Sequence, residues 1–221
     1  VYRAIFSCLP VHYFAPAEQP MRPRIAIPLA SGYEETEALS PADVLSRAGV
    51  EVILCHMPGE SPRVKGSHGF ILESNTAIDS LDASELTGIC IPGGMPGTRN
   101  LLQSAPLLEL IRSLHKRRAW IAAICAAPIV LHEAGILSGK RITSHPSVQN
   151  ELIGIEYSER PVVIDEPIIS SRGPGTALLF GLTVVAAVKT IAVAVDLAKK
   201  MIIDIPPAVM EEWINEVHHS A

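Results

Sequence analysis

Apolar and polar positions alternate along the chain in blocks that read as strands and helices in turn. Arg24 to Ala30 is strand-like and runs into Ser31-Gly32-Tyr33. A helix is predicted from about Glu34 to Ala48, stopped by Gly49 and interrupted at Pro41, where Ser40 is placed to cap a second helical segment. Val50 to Cys55 is the next strand, and Arg63 to Glu73, punctuated by Gly66 and Gly69, reads as a small hairpin. Gly88 to Pro92 is a short buried strand ending in Gly93-Gly94. Ala105 to Arg117 has helical spacing at Leu107, Leu108, Ile111 and Leu114. Trp120 to Ile124 is a buried strand, and Pro128 to Ala134 is a short helix closed by Gly135. Lys140 to Ser144 is a strand ending at His145-Pro146, and Pro161–Asp165 and Pro167–Ser171 form a strand pair. Three helical stretches follow, Gly175–Thr190, Ile191–Ile203 and Pro207–His219, the last with an apolar face at Val209, Trp213, Ile214 and Val217. Strands alternating with helices predict an α/β fold, a mostly parallel sheet covered on both sides. Ligands of such sheets bind beyond the carboxyl ends of the strands.

The most informative stretch is Ala119 to Gly135, where Cys125 lies between a strand and a helix with small residues, Ala123 and Ala127, two positions to either side. That is the spacing of a nucleophile elbow, a sharp turn that lifts one side chain out of the sheet and tolerates only small neighbours. A thiol at a helix N-terminus meets the positive end of the dipole and free N–H groups, and both favour the thiolate. The alternative is a buried structural cysteine. Four loops leave strand ends in this reading, carrying Glu34, Glu35 and Glu37; Gly93 and Gly94; Cys125; and His145. In a parallel sheet all four meet at one edge. The N–H groups of Gly93, Gly94 and Ala126 are candidate oxyanion donors, although Gly-Gly is also an ordinary turn. An acid beside Cys125 would stay protonated, since adjacent negative charges repel. Glu34 and Glu35 suit simple dipole complementarity better than Glu37, one turn further in. His145 is a candidate base, with weaker claims from His56, His68 and His132. Gly173-Pro174-Gly175 either lines the site or starts a helix.

Composition narrows the options. The chain has 221 residues, 48% hydrophobic, with a formal net charge of -5, which suits one domain with a sizeable core. No basic-aromatic stripe points to nucleic acid, and the longest apolar run, Ala177 to Val188, is short of the ~20 residues a membrane span needs. Cys8, Cys55, Cys90 and Cys125 form no C-x-x-C pair and no metal-ligand spacing, which suits reduced thiols in the cytoplasm. There is no P-loop and no dinucleotide fingerprint, so no cofactor and no metal are expected. Val1 to Met21, with Pro10, Pro16 and Pro20, reads either as a weak targeting peptide or as an upstream extension; the second is preferred, which leaves residues 22–221 as the functional domain.

Four motifs in order, Gly32-Tyr33-Glu34-Glu35-Thr36-Glu37, Pro92-Gly93-Gly94, Ala122 to Pro128 and Ser171-Arg172-Gly173-Pro174-Gly175-Thr176, resemble the DJ-1/ThiJ/PfpI superfamily, most closely its DJ-1/YajL branch. The resemblance spans about Arg24 to Thr190. It implies a flavodoxin-like three-layer sandwich and a homodimer. It implies that Cys125 is the reactive cysteine, Glu37 its protonated acid, His145 the nearby histidine, Gly93, Gly94 and Ala126 backbone donors, and Pro174 part of the substrate wall. The expected activity is glutathione-independent conversion of a small α-oxoaldehyde, of glyoxalase or deglycase type. The alternatives are a redox-sensing chaperone and a cysteine peptidase or amidohydrolase. Two departures stand out: Ala126 occupies the position where the peptidase-like branch has histidine, and His68 aligns where an arginine of a partner subunit approaches the site in other members. The segment after Thr190 is longer than is usual in this branch.

Overall fold

The computed structural model describes residues 22–217. The expectations for Val1–Met21, for Cys8 and for the last residues of the C-terminal helix lie outside them. In chain order the strands are β1 (Arg24–Leu29), β2 (Glu51–His56), β3 (Arg63–Lys65), β4 (Ile71–Glu73), β5 (Thr76–Ala77), β6 (Gly88–Ile91), β7 (Trp120–Ile124), β8 (Arg141–Ile142), β9 (Glu156–Tyr157), β10 (Val162–Asp165) and β11 (Ile168–Ser171). The helices are α1 (Glu35–Arg47), α2 (Gly97–Leu102), α3 (Ala105–Lys116), α4 (Pro128–Glu133), α5 (Ala177–Val188), α6 (Ile191–Lys200) and α7 (Pro207–Glu216).

Seven strands form one sheet in the order β10-β11-β7-β6-β1-β2-β5, parallel throughout except for the β10–β11 hairpin. Its central strands are apolar on both faces, as a sheet sandwiched between helices requires. Alternation along each strand splits the core in two. Ala26 of β1 and Ile121 and Ala123 of β7 face a cluster with Leu107, Ile111 and Leu114 of α3 and Val130 of α4. Ile25, Ile27 and Leu29, with Ala122 and Ile124, face Val44 and Leu45 of α1, Phe180 of α5 and Trp213 of α7. The result is the expected three-layer α/β sandwich. No helix among the described residues is long and apolar enough to cross a membrane.

Three expectations need correction. Helix α1 is continuous through Pro41. A proline removes one helical hydrogen bond, and here its backbone is packed against α5: a Cβ at Gly181 would lie 3.0 Å from the Pro41 Cα and 3.1 Å from the Val44 Cβ. Second, the strand before His145 is only Arg141–Ile142, and it belongs to a separate two-stranded sheet with β9. Beyond it the chain bonds sideways, with the Thr143 N–H donating to Ser170 Oγ at 2.9 Å. Third, Ile214 is 65% exposed. Glu212, 2% exposed, takes the buried position on α7 instead, accepting from Arg141 (2.9 Å), Arg160 (2.8 Å) and the Ile164 N–H (2.8 Å). Those partners make burial of the charge tolerable.

Candidate active site

Cys125 follows β7 and adopts φ 64°, a left-handed conformation unusual for a side chain larger than glycine. Two main-chain bonds hold it there: its N–H donates to the Ser171 carbonyl at 2.9 Å, and its carbonyl accepts from the His145 N–H at 2.8 Å. Ala123 and Ala127 are fully buried beside the turn. Cys55 and Cys90 are buried, whereas Cys125 is partly exposed, which separates it from the structural cysteines.

Glu37 reaches this sulfur from the first turn of α1. Glu34 caps that helix, its carboxylate accepting from the Glu37 N–H at 2.7 Å. Glu37 is 1% exposed. Its Oε2 accepts from the Gly93 N–H at 2.9 Å, and its Oε1 is left without a conventional partner. Burial, reinforced by the charge of Glu34, pushes its pKa up to about 7 against the opposing influence of Cys125 and Gly93. Gly93 itself is dictated by crowding: a Cβ there would lie 2.7 Å from Glu37 Oε2, 2.9 Å from Cys125 Cβ and 3.0 Å from the Ala126 N.

The thiol departs from expectation. Burial and then the adjacent Glu37 carboxylate push Cys125 up, while the N–H groups of Ala126 and Gly94 pull it down without prevailing. The helix end is a weak counterweight because α4 has six residues and opens with Pro128, which has no N–H to offer. Burial and the neighbouring carboxylate both favour the protonated thiol over a free thiolate.

The other expected residues are placed as follows. Gly94 and Ala126 present N–H groups to the sulfur, but the Gly93 N–H is committed to Glu37 and is no oxyanion donor. The His145 main chain abuts Cys125, while its imidazole Nδ1 engages Ser147, 2.8 Å from the hydroxyl and 3.2 Å from the N–H. Its ring flanks the Gly173 turn, where a Cβ would lie 3.6 Å from Cδ2. Pro174 is exposed on that turn, which Thr176 ties to Ser171 through a 2.7 Å hydroxyl contact. His68 lies over α1: its N–H donates to Glu35 Oε1 at 2.7 Å and its Nδ1 sits 2.8 Å from Oε2. Burial works to raise Glu35, but the His68 and Ser67 bonds outweigh it and hold the carboxyl at about 2. Among the described residues, Glu34, Glu35 and His68 bring their ligand atoms within 4.8 Å of one another, close enough to hold a metal. This anchor for the β3–β4 hairpin was missed in the sequence, where an acidic first turn reads as dipole complementarity.

The chain's relatives share this arrangement of elements. The model of the family described as DJ-1/PfpI matches residues 23–187. The zebrafish (Danio rerio) Parkinson disease protein 7 homolog is 33% identical over 183 residues, covering 81% of this chain and 97% of the relative. A Schizosaccharomyces pombe protein named glutathione-independent glyoxalase DJ-1 is 33% identical over 168 residues, 72% of this chain and 87% of its own. The crystal structure of Drosophila melanogaster DJ-1beta superposes with a TM-score of 0.79 at 34% identity, covering 84% of this chain and all of that one.

Proposed function

The chain belongs to the DJ-1/PfpI family, in its DJ-1 branch, and from that premise we propose that it converts small α-oxoaldehydes to 2-hydroxy acids without glutathione. The yeast relative named as such an enzyme supports the chemistry. The observation that carries it is the buried Glu37 against Cys125, with the carboxyl raised to about 7. A group that must take up a proton and return it works best with an acidity near the operating pH.

In the proposed cycle the thiol proton passes to Glu37 as the sulfur bonds to the aldehyde carbon. The carbonyl electron pair moves onto oxygen, which the Gly94 and Ala126 N–H groups hold, and Glu37 returns the proton to give a neutral hemithioacetal. The ionised Glu37 then removes the proton from the former aldehyde carbon and delivers it to the neighbouring carbon, while the hydroxyl proton passes to the neighbouring oxygen. The product is a thioester of the 2-hydroxy acid. Water cleaves it, releasing the acid and regenerating the thiol. His145 and Pro174 form the outer wall in this reading.

The peptidase alternative is weaker, because the His145 imidazole bonds Ser147 and Ala126 follows the cysteine. Homodimer formation and a cytoplasmic location belong to the same proposal, as does treating residues 22–221 as one functional domain. The test is lactate formation from methylglyoxal with no added thiol. The wild type is expected to produce it and Cys125→Ala to produce none; unchanged turnover in that variant would remove the mechanism.

A further inference from the structure

Two walls flank Cys125, and one side-chain pair links them. The first wall is the Gly93–Gly94 turn with α2, to which it is welded by the Thr98 N–H donating to the Gly94 carbonyl (2.9 Å). That unit is fixed to the loop after β1 by the Gly97 N–H on the Gly32 carbonyl (3.1 Å) and Asn100 Nδ2 on the Ser31 carbonyl (2.8 Å). The second wall is the 3₁₀ segment Pro146–Glu151, headed by His145 and rooted by buried Val148. Arg99 of α2 meets Glu151 with both prongs of its guanidinium, at 2.8 and 2.6 Å. Among the described residues no other hydrogen bond joins the two segments.

We propose that Arg99 and Glu151 are a positioning pair, a two-pronged strap that fixes the Gly94 wall against the His145 wall and so keeps the backbone donors in register with the Cys125 sulfur. The inference rests on the functional reading of Cys125 given above. The two side chains are 49% and 39% exposed, and ion pairs this open to solvent add little to stability. What an Arg–carboxylate fork supplies instead is direction, since two parallel bonds fix angle as well as distance. Lysine, a point charge with no fork, cannot reproduce it. Small displacements of groups aimed at a reacting atom cost far more in rate than in folding, so the pair should be felt in catalysis and scarcely in melting.

The experiment compares wild type with Arg99→Ala, Glu151→Ala, the double alanine variant, Arg99→Lys and the reversed pair Arg99→Glu/Glu151→Arg. Turnover of methylglyoxal and the pH profile of Cys125 alkylation by iodoacetamide are measured on each, with melting as a control. Each alanine variant is expected to lose about tenfold in kcat with KM unchanged, and to alkylate with a profile displaced to higher pH as the Gly94 N–H drifts from the sulfur. The double variant should be no worse than either single one, Arg99→Lys should stay impaired, and the reversed pair should recover most of the loss. Wild-type kcat and alkylation profiles in both single variants would overturn the proposal, as would additive losses or a reversed pair that recovers nothing. If the wild type itself does not turn over methylglyoxal, the functional reading fails while the alkylation profiles still judge the strap.

Discussion

The Gly93 amide donates to Oε2 of Glu37 at 2.9 Å, so the residue expected to cradle an oxyanion holds the carboxyl proposed as general acid instead. In the proposed cycle this bond aims the carboxyl at Cys125 and leaves Gly94 and Ala126 as the donors for the reacting oxygen.

Glu37 should set the response to pH. Its folded value of about 7 lies above the ordinary 4.5, so the folded chain keeps a proton that the unfolded chain has released. That contribution to stability is complete below pH 4.5 and is lost as pH rises through 7, on the order of 3 kcal/mol. Glu37→Gln should therefore gain on the wild type between pH 5 and 8 in denaturant titrations, while its turnover falls by about 100-fold or more.

Gly93→Ala should be both inactive and less stable. The added methyl meets a carboxylate oxygen, a Cβ and a main-chain nitrogen, all within 3.0 Å, and the last two are fixed to the backbone of the Cys125 turn and cannot swing aside. A loss of about 1–3 kcal/mol is expected in unfolding experiments.

The Glu35–His68 pair should give the stability curve two limbs. Glu35 sits below its ordinary value at about 2, so its contribution is present above pH 4.5 and disappears as pH falls through 2. His68 is raised from 6.5, chiefly by its bond to Glu35, so its share is complete below 6.5 and fades as pH rises through the raised value. His68→Ala should abolish the decline of melting temperature on that alkaline side attributable to the pair, a difference read by comparing pH 6 with pH 9.

Glu212→Ala should destabilise by about 2 kcal/mol, because it strands the buried Ile164 N–H as well as the two arginines. Arg160→Ala, at a half-exposed position on the same carboxylate, should cost less than about 1 kcal/mol. Equal losses in calorimetry would contradict this account of how α7 is attached.

What could be read in the sequence were features encoded locally. The elbow at Cys125, the alternation that builds β1, β6 and β7, and the β3–β4 and β10–β11 hairpins all follow from neighbouring residues. What escaped depends on segments distant in the chain. Glu212 looks like a solvent-facing acid on an amphipathic helix until Arg141, Arg160 and the Ile164 amide arrive around it. Pro41 looks like a break until α5 closes over it at Gly181. The Cys125 thiol follows the same rule: the local helix end argues for a thiolate, whereas the largest opposing influence is burial by segments packed around the turn, followed by Glu37 of α1.

Because the Cys125 amide and carbonyl are both engaged, by Ser171 and by the segment leading into His145, the turn is held by main-chain bonds in which the sulfur takes no part. A carbon bonded to the sulfur, as in the proposed cycle, would therefore leave both of those bonds in place. The covalent intermediate of that cycle can thus form and decay on a turn whose anchoring to β11 and to the chain before Pro146 is independent of it.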